Sequence, residues 1–150
     1  PRVHGRPYCP ELSTVALASG RDQGITMHEG GTVVVIQGPR FSTKSESRWF
    51  RQAGWEVINM TQYPEAALAR ELGLCYASVA LITDYDIGLE GVEGIEPVTQ
   101  EEILKFFDDN LERVRSLLFD AIGRIAADIG CECAAGPNGI EPEPPPLPSP

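Results

Sequence analysis

Two carboxylates, Asp84 and Asp86, straddle Tyr85 at the end of an apolar run from Cys75 to Ile82. Carboxylates so spaced can hold a cation, handle a proton, or open a solvated acidic loop. A cation would need further oxygen ligands, and none lies within reach in the sequence. Position favours a functional reading, because strand ends in α/β sheets carry ligand sites. A carboxyl group partly buried there is pushed towards protonation and can donate a proton near neutral pH.

Two further polar clusters follow apolar, β-branched runs. Gly38-Pro39-Arg40-Phe41-Ser42 follows Thr32 to Ile36, and Asn59-Met60-Thr61 follows Trp55 to Ile58. A phenyl ring such as Phe41 is more often core than ligand platform, yet a planar base needs an aromatic face. Thr61 offers a hydroxyl and a backbone N–H where a helix N-terminus could hold an anion. With equal weight, Asn59 and Thr61 merely shape the turn. Arg40 reads better as a structural partner of Glu46 than as an anion binder. His4 and His28 receive no catalytic role. The residues alone give an α/β domain with a candidate small-molecule site at Phe41, Thr61, Asp84 and Asp86.

The elements that must position these residues follow from periodicity and breakers. Pro10 to Ser19 predicts a short helix, with Gly20 as its stop. Thr32 to Ile36 predicts a strand buried on both faces. A helix is expected from about Lys44 to Ala53, capped by Ser42 or Thr43 and ended by Gly54. Trp55 to Ile58 predicts a second strand. Pro64 can open a helix that Gly73 closes. Cys75 to Ile82 predicts a third strand, and Asp86 to Pro97 a mobile, acid-rich loop. Thr99 and Glu102 form a capping box for the longest helix. Its continuous apolar stripe comprises Ile103, Leu104, Phe107, Leu111, Val114, Leu118, Ile122 and Ile125. Alternation of strands and helices is an α/β pattern.

The chain has 150 residues, enough for one domain with a hydrophobic core. The formal net charge of -10 repels nucleic acid and anionic lipid, so neither is expected as a partner. No apolar run approaches a membrane span, and the N-terminus has no apolar stretch of the signal-peptide kind, so a cytoplasmic location is expected. Of the four cysteines, Cys75 reads as a buried free thiol. Cys131 and Cys133 form a CxC pair that could be a redox pair or half of a metal site. No second pair or histidines follow it in the sequence, so a pair of reduced thiols with no metal is the default expectation. Residues 136–150 form a proline-rich tail. Pro1 in place of Met and the loop-like start suggest the C-terminal part of a longer polypeptide.

From Pro7-Tyr8-Cys9-Pro10 to the end of the long helix, the chain resembles the purine nucleoside phosphorylase superfamily. The densest matches are GTVVVIQGPRFSTKSES, VINMTQYPEAALARELGLCYASVALITDYD and VTQEEILKFF. Long stretches in order are a far more specific signal than one short motif. Within the superfamily they look most like the methylthioadenosine phosphorylase branch. The resemblance implies a three-layer mixed sheet with flanking helices, its N-terminal part absent, and residues 1–135 as the C-terminal part of one phosphorylase domain. It implies a pentosyltransferase reaction in which phosphate displaces a purine and leaves a sugar 1-phosphate. Inorganic phosphate is then a co-substrate, with no metal or organic cofactor.

Carried over by position, the resemblance packs Phe41 on the purine, lays Met60 along the ribose and sets Thr61 on phosphate. Asp84 and Asp86 would face N7 and the 6-amino group of adenine, with Asp84 catalytic and Tyr85 part of the substrate site. Ser42 and Gln100 match positions important for substrate choice. Ile103 and Leu104 match the apolar lining of the 5′ pocket. Phosphorylases preferring 6-oxo purines carry Glu after the Phe and Asn in place of the first Asp; here those positions are Ser42 and Asp84. A carboxylate accepts from an amino group and repels an oxo group, so the branch implies adenine and a 5′-methylthio group. Gln100 is polar where that branch has a small or branched apolar residue.

The family's glycine-rich phosphate loop would lie upstream of Pro1, so the chain alone is expected to be weak or inactive. The family's 5′ pocket is completed across a subunit boundary, which implies a homotrimer. The alternatives are a 6-oxopurine nucleoside or methylthioinosine phosphorylase, and a non-catalytic fragment that contributes oligomer contacts.

Overall fold

Val33–Val35 (β1) and Val57–Asn59 (β2) pair in parallel, Val33 opposite Val57 and Val35 opposite Asn59. The Ile36 N–H extends the pairing to Asn59 O at 2.9 Å. Parallel strands need a crossover, and Lys44–Gln52 (α2) supplies it. The computed structural model describes residues 6–87, 99–128 and 130–135. The predicted tail at 136–150 lies outside the described residues, as does most of the predicted acid-rich loop, at 88–98.

The helix starts follow their caps. Thr43 accepts from the Glu46 N–H while Glu46 accepts from the Thr43 N–H, a reciprocal box that starts α2. The same arrangement between Thr99 and Glu102 starts Gln100–Arg124 (α4). Gly54 at φ 74° and Gly73 at φ 67° take the left-handed conformation that ends the helices before them. Gln62–Glu71 (α3) contains a non-helical Tyr63, so its regular part opens at Pro64 as the sequence predicts.

Four expectations change. Pro10–Asp22 (α1) runs through Gly20 instead of stopping there. A methyl group at Gly20 would sit 2.6 Å from Met27 Sδ and 3.1 Å from Leu117 Cδ1, so this glycine is a packing residue. β1 is not buried on both faces: Val33 and Val34 are half-buried and Val35 is exposed. It has one strand neighbour among the described residues, where a central strand has two.

Residues 75–82 form no ladder. A strand needs a row of facing N–H and C=O groups. The segment is tied mainly by side chains instead. The Cys9 N–H donates to Tyr76 O, Gln62 Nε2 to Ser78 Oγ and Tyr76 OH to Glu65 Oε2, at 2.7, 2.6 and 2.8 Å. The Tyr8 hydroxyl completes this set by donating to Gln62 Oε1, which is buried.

The apolar stripe of α4 is covered only in part. Leu117 and Ala121 are buried, and the buried Ser19 hydroxyl lies 3.0 Å from Leu117 O and 2.6 Å from Asp120 Oδ2. Leu104, Phe107, Leu111, Leu118, Ile122 and Ile125 are exposed. A helix rises about 1.5 Å per residue. The 13 residues of α1 therefore cannot span the 25 of α4.

Candidate functional site

Parallel pairing sends the C-terminal ends of β1 and β2 to one edge, where α/β folds build ligand sites. The loop after β1 carries Gly38 to Ser42, and the segment after β2 carries Met60 and Thr61. The two meet closely: a methyl group at Gly38 would sit 3.0 Å from Met60 Sδ. Only a glycine lets the half-buried Met60 lie against this loop without displacement.

Arg40 fixes the loop. Its guanidinium reaches both Glu46 oxygens at 2.7 and 2.8 Å and also donates to Phe41 O at 3.0 Å. This is the structural role favoured by the sequence. The Arg40 hydrogen bonds, then those from Thr43, pull the Glu46 carboxyl from 4.5 down to about 2. Phe41, whose carbonyl is held this way, presents a ring that is 77% exposed.

Asp86 returns to the same place. The Ser42 hydroxyl donates to Asp86 Oδ1 at 2.7 Å. Asp86 Oδ2 is buried with no hydrogen-bond partner among the described residues. Such an oxygen costs free energy until a donor meets it. Asp84 is exposed, so the partial burial on which the sequence-based expectation of proton donation rested is not met at this carboxylate among the described residues. The Thr83 hydroxyl donates to its Oδ1 at 2.6 Å. Tyr85, between the two carboxylates, is exposed.

Thr61 is the N-cap residue of α3, yet its side chain makes no capping bond. Asn59 Oδ1 instead accepts from the Gln62 N–H at 3.4 Å. Thus Asn59 shapes the turn, and the exposed Thr61 hydroxyl is not spent on the cap. Ile103 is half-buried and Leu104 exposed in the first turns of α4. Gln100 opens that helix, and its side chain lies outside the described set.

Sequence reasoning did not assign two partners in this site. Thr83 beside Asp84 is a recognisable local pair. The donation from Ser42 to Asp86 spans 44 residues and leaves no local signal. An open groove of about 240 Å³ beside Val33, Val35, Gln62 and Arg70 has none of Phe41, Met60, Asp84 or Asp86 in its walls.

A family model described as the phosphorylase superfamily matches residues 1–123. The chain belongs to the phosphorylase superfamily. The sequence is 47% identical over 138 residues to a purine nucleoside phosphorylase of Streptomyces coelicolor, covering 91% of this chain and 48% of that protein. It is 46% identical over 128 residues to an S-methyl-5′-thioadenosine phosphorylase of Thermofilum pendens, covering 85% and 47%. A crystal structure of a variant adenosine/methylthioadenosine phosphorylase from Schistosoma mansoni with adenine superposes at a TM-score of 0.76. It shares 33% identity and covers 86% of this chain and 50% of that one. The superfamily membership expected from the sequence is therefore shown. The chain spans about half the length of the curated relatives it matches.

Proposed function

We propose that this chain supplies the base- and sugar-binding part of a phosphorylase that cleaves S-methyl-5′-thioadenosine. The products are adenine and 5-methylthioribose 1-phosphate. The unpartnered Asp86 Oδ2, beside the oxygen that Ser42 satisfies, carries the reading of the base. The 6-amino group of adenine supplies the N–H this oxygen lacks, whereas the 6-oxo group of hypoxanthine offers a second acceptor. Similarity to proteins named for methylthioadenosine and to a structure with adenine supports the same choice.

The chemistry follows from the residues. The C1′–N9 bond breaks, its electron pair leaves with the purine, and a phosphate oxygen bonds to C1′. Asp84 hydrogen-bonds N7 and shares the proton that neutralises the departing anion. The exposed Phe41 face covers the base, and Met60 lies along the ribose. The Thr61 hydroxyl, not used as a helix cap, binds phosphate just ahead of α3. Ile103 and Leu104 flank the methylthio group, with Ser42 and Gln100 tuning substrate choice. No step uses a metal or organic cofactor.

The exposed apolar residues of α4 suit a homotrimer in which a neighbouring subunit closes the 5′ pocket. Among the described residues no helix is long and apolar enough to cross a membrane. The net charge of -10 disfavours nucleic acid as a partner.

Calorimetry on the longest natural form, with phosphate present, tests the base assignment. Adenine should bind at least about tenfold more tightly than hypoxanthine, the size expected when one buried acceptor gains or loses its donor. Equal binding, or preference for hypoxanthine, would support the 6-oxopurine alternative.

A further inference from the structure

The fold gathers Cys9, Cys75 and the Cys131–Cys133 pair, three places that the sequence keeps far apart. Cys9 precedes α1, Cys75 follows α3, and Cys131 and Cys133 lie at the 3-10 turn Glu132–Ala135. All four sulfurs lie within 4.8 Å of one another, and Cys75 Sγ is 3.3 Å from Cys131 Sγ. Cys9 and Cys133 are buried, while Cys75 and Cys131 are half-buried.

We propose that Cys9, Cys75, Cys131 and Cys133 form a tetrahedral thiolate site for one structural zinc ion. A zinc–sulfur bond of about 2.3 Å sets tetrahedral sulfurs about 3.8 Å apart. The observed contact of 3.3 Å and upper limit of 4.8 Å bracket that separation. Two disulfides would require two close pairs, but no approach between the pairs. Mutual closeness of all four sulfurs is what a single central ion requires. Four thiolates select a soft or borderline metal, and four protein ligands leave no open position for catalysis. The ion is therefore structural and separate from the proposed reaction.

The surrounding backbone gives the site its purpose. The Cys9 N–H donates to Tyr76 O at 2.7 Å, and the Gly130 N–H donates to Glu11 Oε2 at 3.1 Å. A methyl group at Gly73 would sit 3.0 Å from Ala134 O. The start of α1, the turn after α3 and the segment after α4 thus already converge. Zinc would replace four S–H protons, released to solvent, with four Zn–S bonds that fasten three distant segments together.

The test is metal analysis of the longest natural form, purified with a thiol reductant and without chelator. The expected content is about one zinc per chain, falling by roughly tenfold or more in Cys131→Ser. Cobalt(II) reconstitution of the wild-type chain should give thiolate-to-cobalt charge-transfer absorption, a readout that does not depend on a variant folding. The proposal is overturned if the protein stays metal-free after reductive reconstitution with zinc. Disulfides among these cysteines in protein alkylated at lysis, before any reductant is added, or a different metal in the site, would also overturn it.

Discussion

The Ser42 hydroxyl donates to Asp86 Oδ1 at 2.7 Å, joining the loop after β1 to the segment that ends at the paired carboxylates. This bond leaves Oδ2 as the oxygen in need of a donor. Ser42→Ala removes one hydrogen bond and frees Asp86 to turn. The KM for an adenine nucleoside should rise about three- to tenfold, the equivalent of one hydrogen bond. Steady-state kinetics on the natural form reads this directly, and an unaltered KM would separate Ser42 from base binding.

Asp84 is assigned the proton at N7. Asp84→Asn keeps the shape and removes the acid, so turnover of adenine nucleosides should fall by roughly 10² to 10⁴. The amide can also donate, so 6-oxo nucleosides should gain relative activity. Comparison of kcat for both nucleosides in wild type and variant checks this. Full adenine activity in the variant would refute the proton role.

Thr61 and Thr43 both stand just ahead of a helix but do different work. Thr43 caps α2, whereas the Thr61 side chain caps nothing. Thr43→Ala should therefore cost about 1 kcal/mol of stability. Thr61→Ala should leave stability nearly unchanged but raise the KM for phosphate roughly ten- to a hundredfold, about the loss of one hydrogen bond to a charged group. Denaturant melts paired with phosphate titrations separate the two. A Thr61 variant that loses stability but keeps its phosphate dependence would make this residue structural.

Glu46 supplies a pH prediction. Its folded carboxyl is depressed to about 2, first by the Arg40 fork and then by Thr43. A depressed carboxyl stabilises the fold above its ordinary value, and that contribution disappears as pH falls through the folded value. The Phe41 loop and the start of α2 should thus loosen between about pH 4.5 and pH 2. NMR titration of the Glu46 side chain should give a midpoint near the lower figure, moving up in Arg40→Ala. A wild-type midpoint near 4.5 would mean that the fork does not persist in solution.

Local signals in the sequence were the most legible. Thr99 with Glu102, Pro64, Gly54 and Gly73 each mark a boundary through chemistry contained within one turn, and the structure uses them all, while of the two caps the sequence offered for α2 the structure takes Thr43. The pairing of Arg40 with Glu46 was legible for the same reason. Features that depend on a distant partner were not. An apolar run at residues 75–82 says nothing about whether facing strands will meet it. The stripe of α4 records hydrophobicity, but not that α1 is too short to cover it. Gly20 looked like a stop because its contact with Leu117 lies far along the chain. The CxC pair looked incomplete because Cys9 and Cys75 reach it only through the fold. In the candidate site, residue types and order were visible, whereas the unequal partnering of the two Asp86 oxygens required three dimensions.

The most direct test is a competition on the longest natural form of this chain. S-methyl-5′-thioadenosine and inosine are supplied together, with and without phosphate, and the released bases are separated. Adenine is expected, released only when phosphate is present. Hypoxanthine as the main product would contradict the role given to Asp84 and Asp86, and no base from a folded trimer would contradict the phosphorylase assignment itself.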